Sequence, residues 1–328
     1  MVHKRGSRSF VVGANLALCL ALALSVAPAG LAGQPTGEEA PNDIISLPLV
    51  LKDHIPFSES SGVLDTDFNA TGLALANFGG SDDYAHAAIL QPDGKIVAAG
   101  YLYGAVKNFA LARYNLDGSL DSTFSGDGMV TDDFNGQGVQ AEAILLQPDG
   151  KIVVAGYTII GLDDDFALAR FNPDGSLDTT FSSDGRVQTD FGTRGDRAFA
   201  LALDPASGKI IAAGCADGAL GPDFAVARYH PDGSLDTAFS SDGMVTTDFN
   251  DHEDQVAAVL VQPGDGMIVA AGSSGYADEI YGYSDVALAR YNPDGSLDTS
   301  FGIDGKVTAA PGGYGYSVGE DLLLLPGG

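Results

Sequence analysis

The sequence predicts an all-β fold, a β-propeller of four-stranded blades, and three observations support this prediction. A phrase of sixteen residues recurs along the 328-residue chain. Each repeat holds four short strand-like segments bounded by Gly, Pro, Asp or Asn, and none of them has a helical period. The first segment of each repeat is rich in alanine, which suits a crowded innermost strand. Four-stranded repeats that close around an axis form propellers of about four to eight blades.

The recurring phrase sets the length of the repeat. Its leucine returns after 56, 57, 58 and 62 residues, and such a period is typical of an array or a propeller. A shorter and less similar copy, SSGVLDTDF, begins at Ser60. The full copies are RYNLDGSLDSTFSGDG (Arg113–Gly128), RFNPDGSLDTTFSSDG (Arg170–Gly185), RYHPDGSLDTAFSSDG (Arg228–Gly243) and RYNPDGSLDTSFGIDG (Arg290–Gly305).

The second repeat illustrates the four strands, which we call A, B, C and D from the inside outward. They are predicted at Val139–Gln147, Lys151–Tyr157, Phe166–Asn172 and Arg186–Phe191. The turn Gln-Pro-Asp-Gly-Lys joins A to B, since Pro presets one dihedral and Gly tolerates positive φ. The phrase itself is the C–D corner. It recurs because every blade needs the same corner.

One arginine per blade stands in the mostly apolar C strand. A buried charge without a partner is costly, so each arginine needs a carboxylate. We predict that this partner is the Asp of the Leu-Asp-x-x-Phe part of the phrase. The predicted pairs are Arg113 with Asp121, Arg170 with Asp178, Arg228 with Asp236, and Arg290 with Asp298.

The domain boundaries follow from composition. Residues 1–32 have the basic, apolar and small-residue parts of a signal peptide, residues 33–62 form a Pro- and Gly-rich linker, and residues 63–328 are the propeller domain. The repeats run at about 64–119, 120–176, 177–234 and 235–296, with a partial one at 297–328. We therefore expect a secreted or cell-surface protein, with no membrane span left after cleavage.

The terminal strands predict an incomplete ring. A leading D strand at Leu73–Phe78 and a lone A strand at Val318–Leu325 flank four complete blades. Both are expected to leave an unpaired edge. Either the native gene continues, or the ring is open or completed by oligomerisation.

The charge of the chain excludes some partners. The formal net charge is −28, and it becomes −31 once Lys4, Arg5 and Arg8 leave with the signal peptide. Nucleic acids and anionic membranes need a positive surface and are not expected to bind. Only Cys215 follows the signal peptide, so no disulfide within the mature chain is possible. We expect this thiol to be packed rather than nucleophilic.

The repeated residues also carry a family resemblance. The pattern F-A-L-A-R-Y-N-P-D-G-S-L-D-T-x-F, followed by D-G-x-V-x-T-D-F and L-Q-P-D-G-K-I-V-x-A-G, resembles the bacterial delta-60 repeat. The match extends from roughly Val63 to the C-terminus. It implies a propeller on secreted or surface proteins, and it implies no catalytic or binding residues.

The two ends of the blades differ in variability. The A–B turns and C–D corners are nearly the same in every copy, and we call this end the scaffold face. The D–A and B–C loops differ in every copy, and we call this end the variable face. Binding usually lies in variable loops on a rigid scaffold; the alternative is that the loops vary because nothing constrains them. The candidate ligand-binding residues are Tyr276, Tyr281, Tyr283, Asp82 and Asp83.

The acidic loops are the candidates for a metal site. Carboxylates and carbonyls suit Ca²⁺, which takes about six to eight oxygen ligands. The alternative is that the acidic residue at the start of each C strand caps a turn. No other cofactor is expected. The candidate metal ligands are Asp163, Asp164, Asp165, Asp251, His252 and Glu253.

Two classes of function remain open from the sequence. The first is a non-enzymatic module that binds a protein or glycan through the variable face. The second is a propeller-type hydrolase or lyase that acts on carbohydrates. Catalysis needs one asymmetric arrangement of acid and base, whereas most carboxylates here recur in every blade. We therefore predict no catalytic residue and favour the binding module.

Overall fold

The computed structural model describes eight segments of the chain. They are residues 10–13, 64–79, 82–159, 163–192, 194–250, 253–276, 283–309 and 319–323. The predicted linker at 33–62 lies outside these residues. Within the described part of the chain, no helix has the length and apolarity needed to cross a membrane.

Four antiparallel four-stranded sheets form the blades, each with its strands in sequence order. This arrangement confirms the predicted all-β propeller fold with four blades, and the ring is not closed. The blades are β3 (Asp82–Leu90), β4 (Ile96–Tyr103), β5 (Lys107–Tyr114) and β6 (Met129–Asp132); β7 (Val139–Leu146), β8 (Ile152–Thr158), β9 (Phe166–Phe171) and β10 (Arg186–Thr189); β11 (Arg197–Leu203), β12 (Ile210–Asp217), β13 (Pro222–Tyr229) and β14 (Met244–Thr247); and β15 (Glu253–Val261), β16 (Ile268–Tyr276), β17 (Tyr283–Tyr291) and β18 (Lys306–Ala309).

The alanine-rich A strands are innermost, as predicted. The A strands β3, β7, β11 and β15 lie side by side, each in contact with the next. Strands β8 and β9 of the second blade are buried nearly throughout, because neighbouring blades cover both of their faces. The apolar cores therefore lie between blades. One of them joins Val154 of the second blade to Phe109 of the first.

Each A strand carries a β-bulge opposite a glycine of the B strand. In the second blade the register shifts between Ala141 and Ala143, so Glu142 is the extra residue. Opposite it, a Cβ atom on Gly156 would lie 1.8 Å from the carbonyl oxygen of Gln140. Only glycine allows this approach, and the bulge re-aims the side chain of the extra residue. The other blades repeat the arrangement with the extra residues His86, Phe199 and Ala257 opposite Gly100, Gly214 and Gly272.

The predicted arginine–aspartate pairs are confirmed in all four blades. In the first blade Arg113 Nε donates to Asp121 Oδ2 at 2.7 Å, and Lys95 Nζ lies 3.0 Å from the same oxygen. The guanidinium stacks 4.6 Å from the ring centre of Phe124. The same Nε–Oδ2 distance of 2.7 Å recurs at Arg170–Asp178, Arg228–Asp236 and Arg290–Asp298.

The phrase also joins neighbouring blades, which the sequence did not predict. Arg113 Nη1 donates to the carbonyl oxygen of Pro173, in the corner of the next blade, at 2.5 Å. The backbone N–H of Ser125 donates to the carbonyl of Asp174 at 2.7 Å. Equivalent bonds run from Arg170 to Pro231 and from Arg228 to Pro293. Each copy of the phrase therefore fixes its own corner, and each of the first three copies is also bonded to the next copy.

The locked aspartates predict loss of stability in acid. Burial alone would raise the pKa of Asp121, but hydrogen bonds from Thr123 and Lys95 and the charge of Arg113 bring the pKa well below its usual range. The pKa values of Asp178 and Asp236 are also lowered. Such groups stabilise the fold above the unfolded-state pKa of about 3.9, and this stabilisation is lost as the pH falls below that value.

We therefore expect the free energy of unfolding, measured by urea titration, to fall as the pH drops below about 4. Asp121→Asn should reduce the size of this fall, because one of the responsible carboxylates is removed. An identical pH dependence in the variant would argue against the ion pairs as its cause.

The ends of the chain depart from the predicted unpaired edges. Strand β2 (Leu73–Ala76) falls in the predicted leading D strand, and it pairs with β1 (Phe10–Gly13). A bare strand edge readily pairs with an extended segment, so the expectation for this edge was wrong. Since β1 lies within the predicted signal peptide, cleavage would uncover the edge. At the other end, the described residues 319–323 are not in a strand, and Gly319 N donates to the carbonyl of Gly272 at 3.0 Å.

Candidate functional site

A group of polar and aromatic side chains gathers at the variable face where the first three blades meet. The A strands begin at this end, the B strands finish there, and the C strands start again after the B–C loop. Side chains from these strand ends therefore converge. We call them the variable-face cluster, which consists of Tyr84, His86, Tyr101, Lys107, Gln140, Glu142, Tyr157, Asp164, Arg197 and Phe199.

The first half of the cluster bridges the first and second blades. His86 Nδ1 lies 2.7 Å from Glu142 Oε2, and Gln140 Nε2 donates to Glu142 Oε1 at 2.5 Å. Lys107 Nζ donates to Gln140 Oε1 at 2.6 Å and lies 4.5 Å from the ring centre of Tyr101. These contacts form one continuous chain of hydrogen bonds across two blades.

Aromatic rings border this chain of hydrogen bonds. Tyr84 stacks on Tyr101 with ring centres 4.8 Å apart and an interplanar angle of 23°. Tyr84 is 37 % exposed, whereas Tyr101 is 9 % exposed beneath it. The two stacked tyrosine rings form an accessible aromatic surface beside His86 and Glu142. The buried Tyr101 ring supports the exposed Tyr84 ring.

The second half of the cluster bridges the second and third blades. Arg197 Nε donates to Asp164 Oδ2 at 2.7 Å, and the guanidinium lies 5.2 Å from the ring centre of Tyr157. Tyr157 also meets Phe199 edge-on, with ring centres 6.3 Å apart. Arg197 and Asp164 line a cavity of 340 Å³ whose other walls are Arg194, Gly195, Cys215, Asp217 and Pro222.

The electrostatics keep Tyr101 and Tyr157 neutral, because the pKa of each phenol is raised. Burial and the nearby charge of Glu142 raise the pKa of Tyr157 to about 12. Burial also raises the pKa of Tyr101, with further contributions from Tyr84 and Glu142. Protonated phenols donate as well as accept hydrogen bonds. The cluster therefore offers neutral hydroxyls beside fixed ion pairs.

The bulges explain why the cluster is asymmetric. The extra residue of each A strand is His86, Glu142 or Phe199 in the first three blades, but Ala257 in the fourth. The β-bulge is thus repeated in every blade, whereas the side chain of its extra residue differs each time. Bulges beside functional sites commonly re-aim side chains in this way.

Sequence reasoning missed most of this cluster. The missed residues include Lys107, Glu142, Tyr157 and Arg197. They lie in or beside strands rather than in the variable D–A and B–C loops. A usable signal was present, because one A-strand position reads His86, Glu142, Phe199 and Ala257 between alanines or other small residues. A position that varies inside a nearly constant strand indicates a candidate site as well as a variable loop does.

The described members of the predicted ligand-binding set come from the first and fourth blades. Asp83 is buried, and its Oδ2 accepts the backbone N–H of Phe78 at 3.0 Å, so it caps the loop before β3. Asp82 begins β3 and is partly buried. Tyr276 and Tyr283 are paired at the ends of β16 and β17. Tyr281 lies outside the described residues.

The predicted metal ligands that the structure describes have different surroundings. Asp163 and Glu253 are exposed, and Asp164 is paired with Arg197. Asp251 and His252 lie outside the described residues. Among the described members of the set, Asp165 alone joins a group of carboxylates that could hold an ion. Two such groups are present among the described residues, Asp165 with Asp190 and Asp196, and Asp223 with Asp248 and Asp254.

Cys215 is buried beside the cavity, as its position in a repeated strand suggested. Burial raises the pKa of its thiol to about 12. The thiolate is the reactive form of cysteine, so this residue is not suited to act as a nucleophile at neutral pH.

Solved structures with a similar arrangement include several carbohydrate-active enzymes. A Bacillus subtilis arabinanase is 11% identical, with 69% of this chain and 79% of that chain covered and a TM-score of 0.36. An ulvan lyase is 10% identical, with 74% and 61% covered and a TM-score of 0.44. An exo-arabinanase from a bovine ruminal metagenomic library is 12% identical, with 67% and 76% covered and a TM-score of 0.33. These likenesses concern the fold alone.

A family model matches the repeats themselves. Its four matches cover residues 91–124, 147–181, 206–239 and 264–301, and each runs from an A–B turn to the C–D corner of the same blade. No curated protein shows a significant match to the chain. Four segments of the chain therefore match the family model described as Domain of unknown function (DUF5122) beta-propeller.

Proposed function

We propose that the protein is a secreted or cell-surface binding module, without catalytic activity, that holds a glycan at the variable-face cluster. One observation carries the proposal: the cluster sets an accessible aromatic surface beside a fixed chain of hydrogen-bonding groups. Binding sites commonly combine apolar and aromatic walls with a few placed polar groups. The resemblance to the delta-60 repeat, which occurs on secreted and surface proteins, agrees with this location.

The chemistry of a sugar chain suits this arrangement. A sugar ring has an apolar C–H face that packs on an aromatic ring, and Tyr84 is the accessible ring here. Its hydroxyls both donate and accept hydrogen bonds, and Glu142, Gln140 and Lys107 supply matching partners. Strong negative charge elsewhere on the chain would repel nucleic acids but not a neutral glycan.

The contacts made by the two carboxylates of the cluster favour binding over catalysis. Glu142 is engaged by His86 and Gln140, and Asp164 is engaged by Arg197. Paired carboxylates are fixed in place and are well suited to orient a ligand. The matching groups come from different blades, so the rigid core between the blades holds the site in shape.

A carbohydrate-active hydrolase or lyase is the second candidate, and one contact favours it. His86 Nδ1 and Glu142 Oε2 are 2.7 Å apart, within the reach needed for general acid–base work. Under this alternative the pair would move a proton at the sugar. Release of oligosaccharide from a polysaccharide, abolished by His86→Ala, would establish the enzyme in place of the binding module.

Tyr84→Ala and Glu142→Gln test the binding proposal. A glycan selected on an array should bind each variant at least about 10-fold more weakly than wild type, since a central aromatic or buried polar contact is lost. Leu116→Ala, at an exposed position of the scaffold face, serves as control and should bind normally. If both cluster variants bind like wild type, the site is elsewhere.

A further inference from the structure

We propose that the protein binds two Ca²⁺ ions, one in each of two equivalent three-carboxylate groups that lie between neighbouring blades. The first group, Asp165, Asp190 and Asp196, joins the second and third blades. The second group, Asp223, Asp248 and Asp254, joins the third and fourth blades. Asp165 and Asp196 adjoin Asp164 and Arg197 of the variable-face cluster in the sequence. None of the six carboxylates belongs to the cluster, and the inference does not depend on glycan binding.

The fold brings the same three strand ends together in both groups. One aspartate stands at the start of a C strand, the second follows the D strand of that blade, and the third lies at the start of the next A strand. In each group the oxygens that could bind an ion all lie within 4.8 Å of one another. Three negative charges at this spacing repel one another, so the arrangement favours a cation in their midst.

One buried carboxylate oxygen in each group has no hydrogen-bond partner among the described residues. Asp254 is fully buried; its Oδ2 accepts the N–H of Phe249 at 2.6 Å, but its Oδ1 has no hydrogen bond from the described residues. Asp165 is 7 % exposed; its Oδ2 accepts from Gln188, and its Oδ1 likewise has no partner there. An unsatisfied buried oxygen of a charged group is costly unless something binds it.

The electrostatics agree with the geometry. Burial, with the charges of Asp248 and Asp223, raises the pKa of Asp254 to about 6. Burial likewise raises the pKa of Asp165, and Asp190 contributes to the rise. A divalent cation would relieve both the burial and the repulsion, because it compensates the charges directly.

Loop capping alone explains only part of each group. Asp196 Oδ2 accepts the N–H of Phe191 at 2.7 Å, as Asp254 does from Phe249. One oxygen suffices for this cap, and an asparagine would supply it without a charge. In the first group Asp190 Oδ1 also accepts the N–H of Gly192, and Asp165 Oδ2 accepts from Gln188, so one oxygen of each carboxylate is accounted for. These bonds leave the buried Asp165 Oδ1 without a partner among the described residues.

The ligand chemistry indicates Ca²⁺. All six side chains are carboxylates, which are hard oxygen donors and suit Ca²⁺ or Mg²⁺ better than the metals that prefer histidine or cysteine. Ca²⁺–oxygen bonds of about 2.3–2.6 Å allow ligands up to about 5 Å apart, whereas Mg²⁺ needs a tighter octahedron. Water and backbone carbonyls would complete the shell.

The junction between the first and second blades supplies an internal comparison. The equivalent positions there are Asn108, Asp133 and Val139, so one carboxylate remains of three. A valine side chain cannot ligate a cation. The proposal therefore specifies two ions per chain rather than three.

Calorimetric titration of CaCl₂ into the full chain, freed of metal with a chelator, tests the proposal. We expect a stoichiometry of two, and a rise in Tm of roughly 5–10 °C at Ca²⁺ well above Kd. Asp196→Asn and Asp254→Asn keep the capping oxygen and should each leave one site. Asp190→Asn and Asp248→Asn, at exposed positions, should do the same without touching the core.

Asp163→Asn is the matched control, because it removes one exposed charge next to the first group and should still bind two ions. Absence of binding and of any Tm rise in the wild type would overturn the proposal. So would a stoichiometry that stays at two in all four cluster variants. An equal response to MgCl₂ would overturn the assignment to Ca²⁺.

Discussion

Asp178→Asn is expected to lower the free energy of unfolding by about 3–5 kcal/mol, because it leaves a buried guanidinium without its counter-charge. Asp178 is 4 % exposed and Arg170 is 5 % exposed. The carboxylate receives Arg170 Nε at 2.7 Å, and Lys151 Nζ lies 3.1 Å away. Arg170 also donates to the corner of the next blade, so its displacement would loosen the lock between blades. The measurement is the midpoint of urea-induced unfolding.

The last copy of the phrase provides the control for this prediction. The Arg290 side chain is 25 % exposed, against 6 % for that of Arg170, and Met267 stands where the earlier A–B turns carry lysine. Among the described residues, Arg290 donates to no carbonyl of a neighbouring corner, whereas Arg170 donates to the carbonyl of Pro231. Asp298→Asn should therefore destabilise clearly less than Asp178→Asn. Equal losses in the two variants would contradict the inter-blade role of the phrase.

Gly156→Ala is expected to be still more damaging, with a loss of more than about 4 kcal/mol. The added Cβ would sit 1.8 Å from the carbonyl oxygen of Gln140, and backbone atoms have no room to yield. The A strand can accommodate the methyl group only by giving up its bulge or its pairing with β8. Thermal and urea unfolding, read by circular dichroism, measure the loss.

Gly104→Ala is the matched substitution, since a Cβ there meets its nearest atoms at 3.4 Å, an ordinary contact. It should change the free energy of unfolding by less than about 1 kcal/mol. Gly156→Ala protein that unfolds like Gly104→Ala protein would show that the bulge is not required. Loss of the bulge would also turn Glu142 away from His86, so any folded Gly156→Ala protein should bind glycan poorly.

The scaffold face and the variable face have different roles. The scaffold face carries the repeated arginine–aspartate locks, which fix each blade to the next. The variable face carries the bulge residues and the strand ends that differ between blades. Because the repeated ion pairs lie at one end, the side chains presented at the other end can differ without disturbing these pairs.

Much of the fold could be predicted from the sequence, because the same strand segments and turn residues recur in every repeat. The second blade was predicted at Val139–Gln147, Lys151–Tyr157, Phe166–Asn172 and Arg186–Phe191, and each observed strand agrees within one or two residues. The arginine–aspartate pairs also followed, since both partners lie within eight residues of each other in a tight corner.

The contacts between blades did not follow, because they join residues far apart in the chain. Arg113 and Pro173 are sixty residues apart, and no local pattern couples them. The bulges were missed for a related reason: a strand with one extra residue reads like any other until its partner is known. The glycine at the same place in each B strand, as in Gly156, was the available sign.

The candidate site was the least predictable part. Its charged residues are single occurrences, such as Lys107 and Arg197, and only the meeting of blades places them beside Glu142 and Asp164. The tyrosines predicted from the sequence, Tyr276, Tyr281 and Tyr283, fall in residues 273–285, between the B and C strands of the fourth blade. A site in this loop and a site in the variable-face cluster lead to different expected effects of substitutions on binding, and these effects can be compared directly.

That comparison is the affinity of an array-selected glycan for two altered proteins, measured by titration calorimetry. One carries Tyr84→Ala with Glu142→Gln in the variable-face cluster, and the other has residues 277–282 replaced by a Gly-Ser segment. We expect the first to lose about 100-fold in affinity and the second to bind like the unaltered protein. Full affinity in the cluster variant, with binding lost in the loop variant, would contradict the placement of the site.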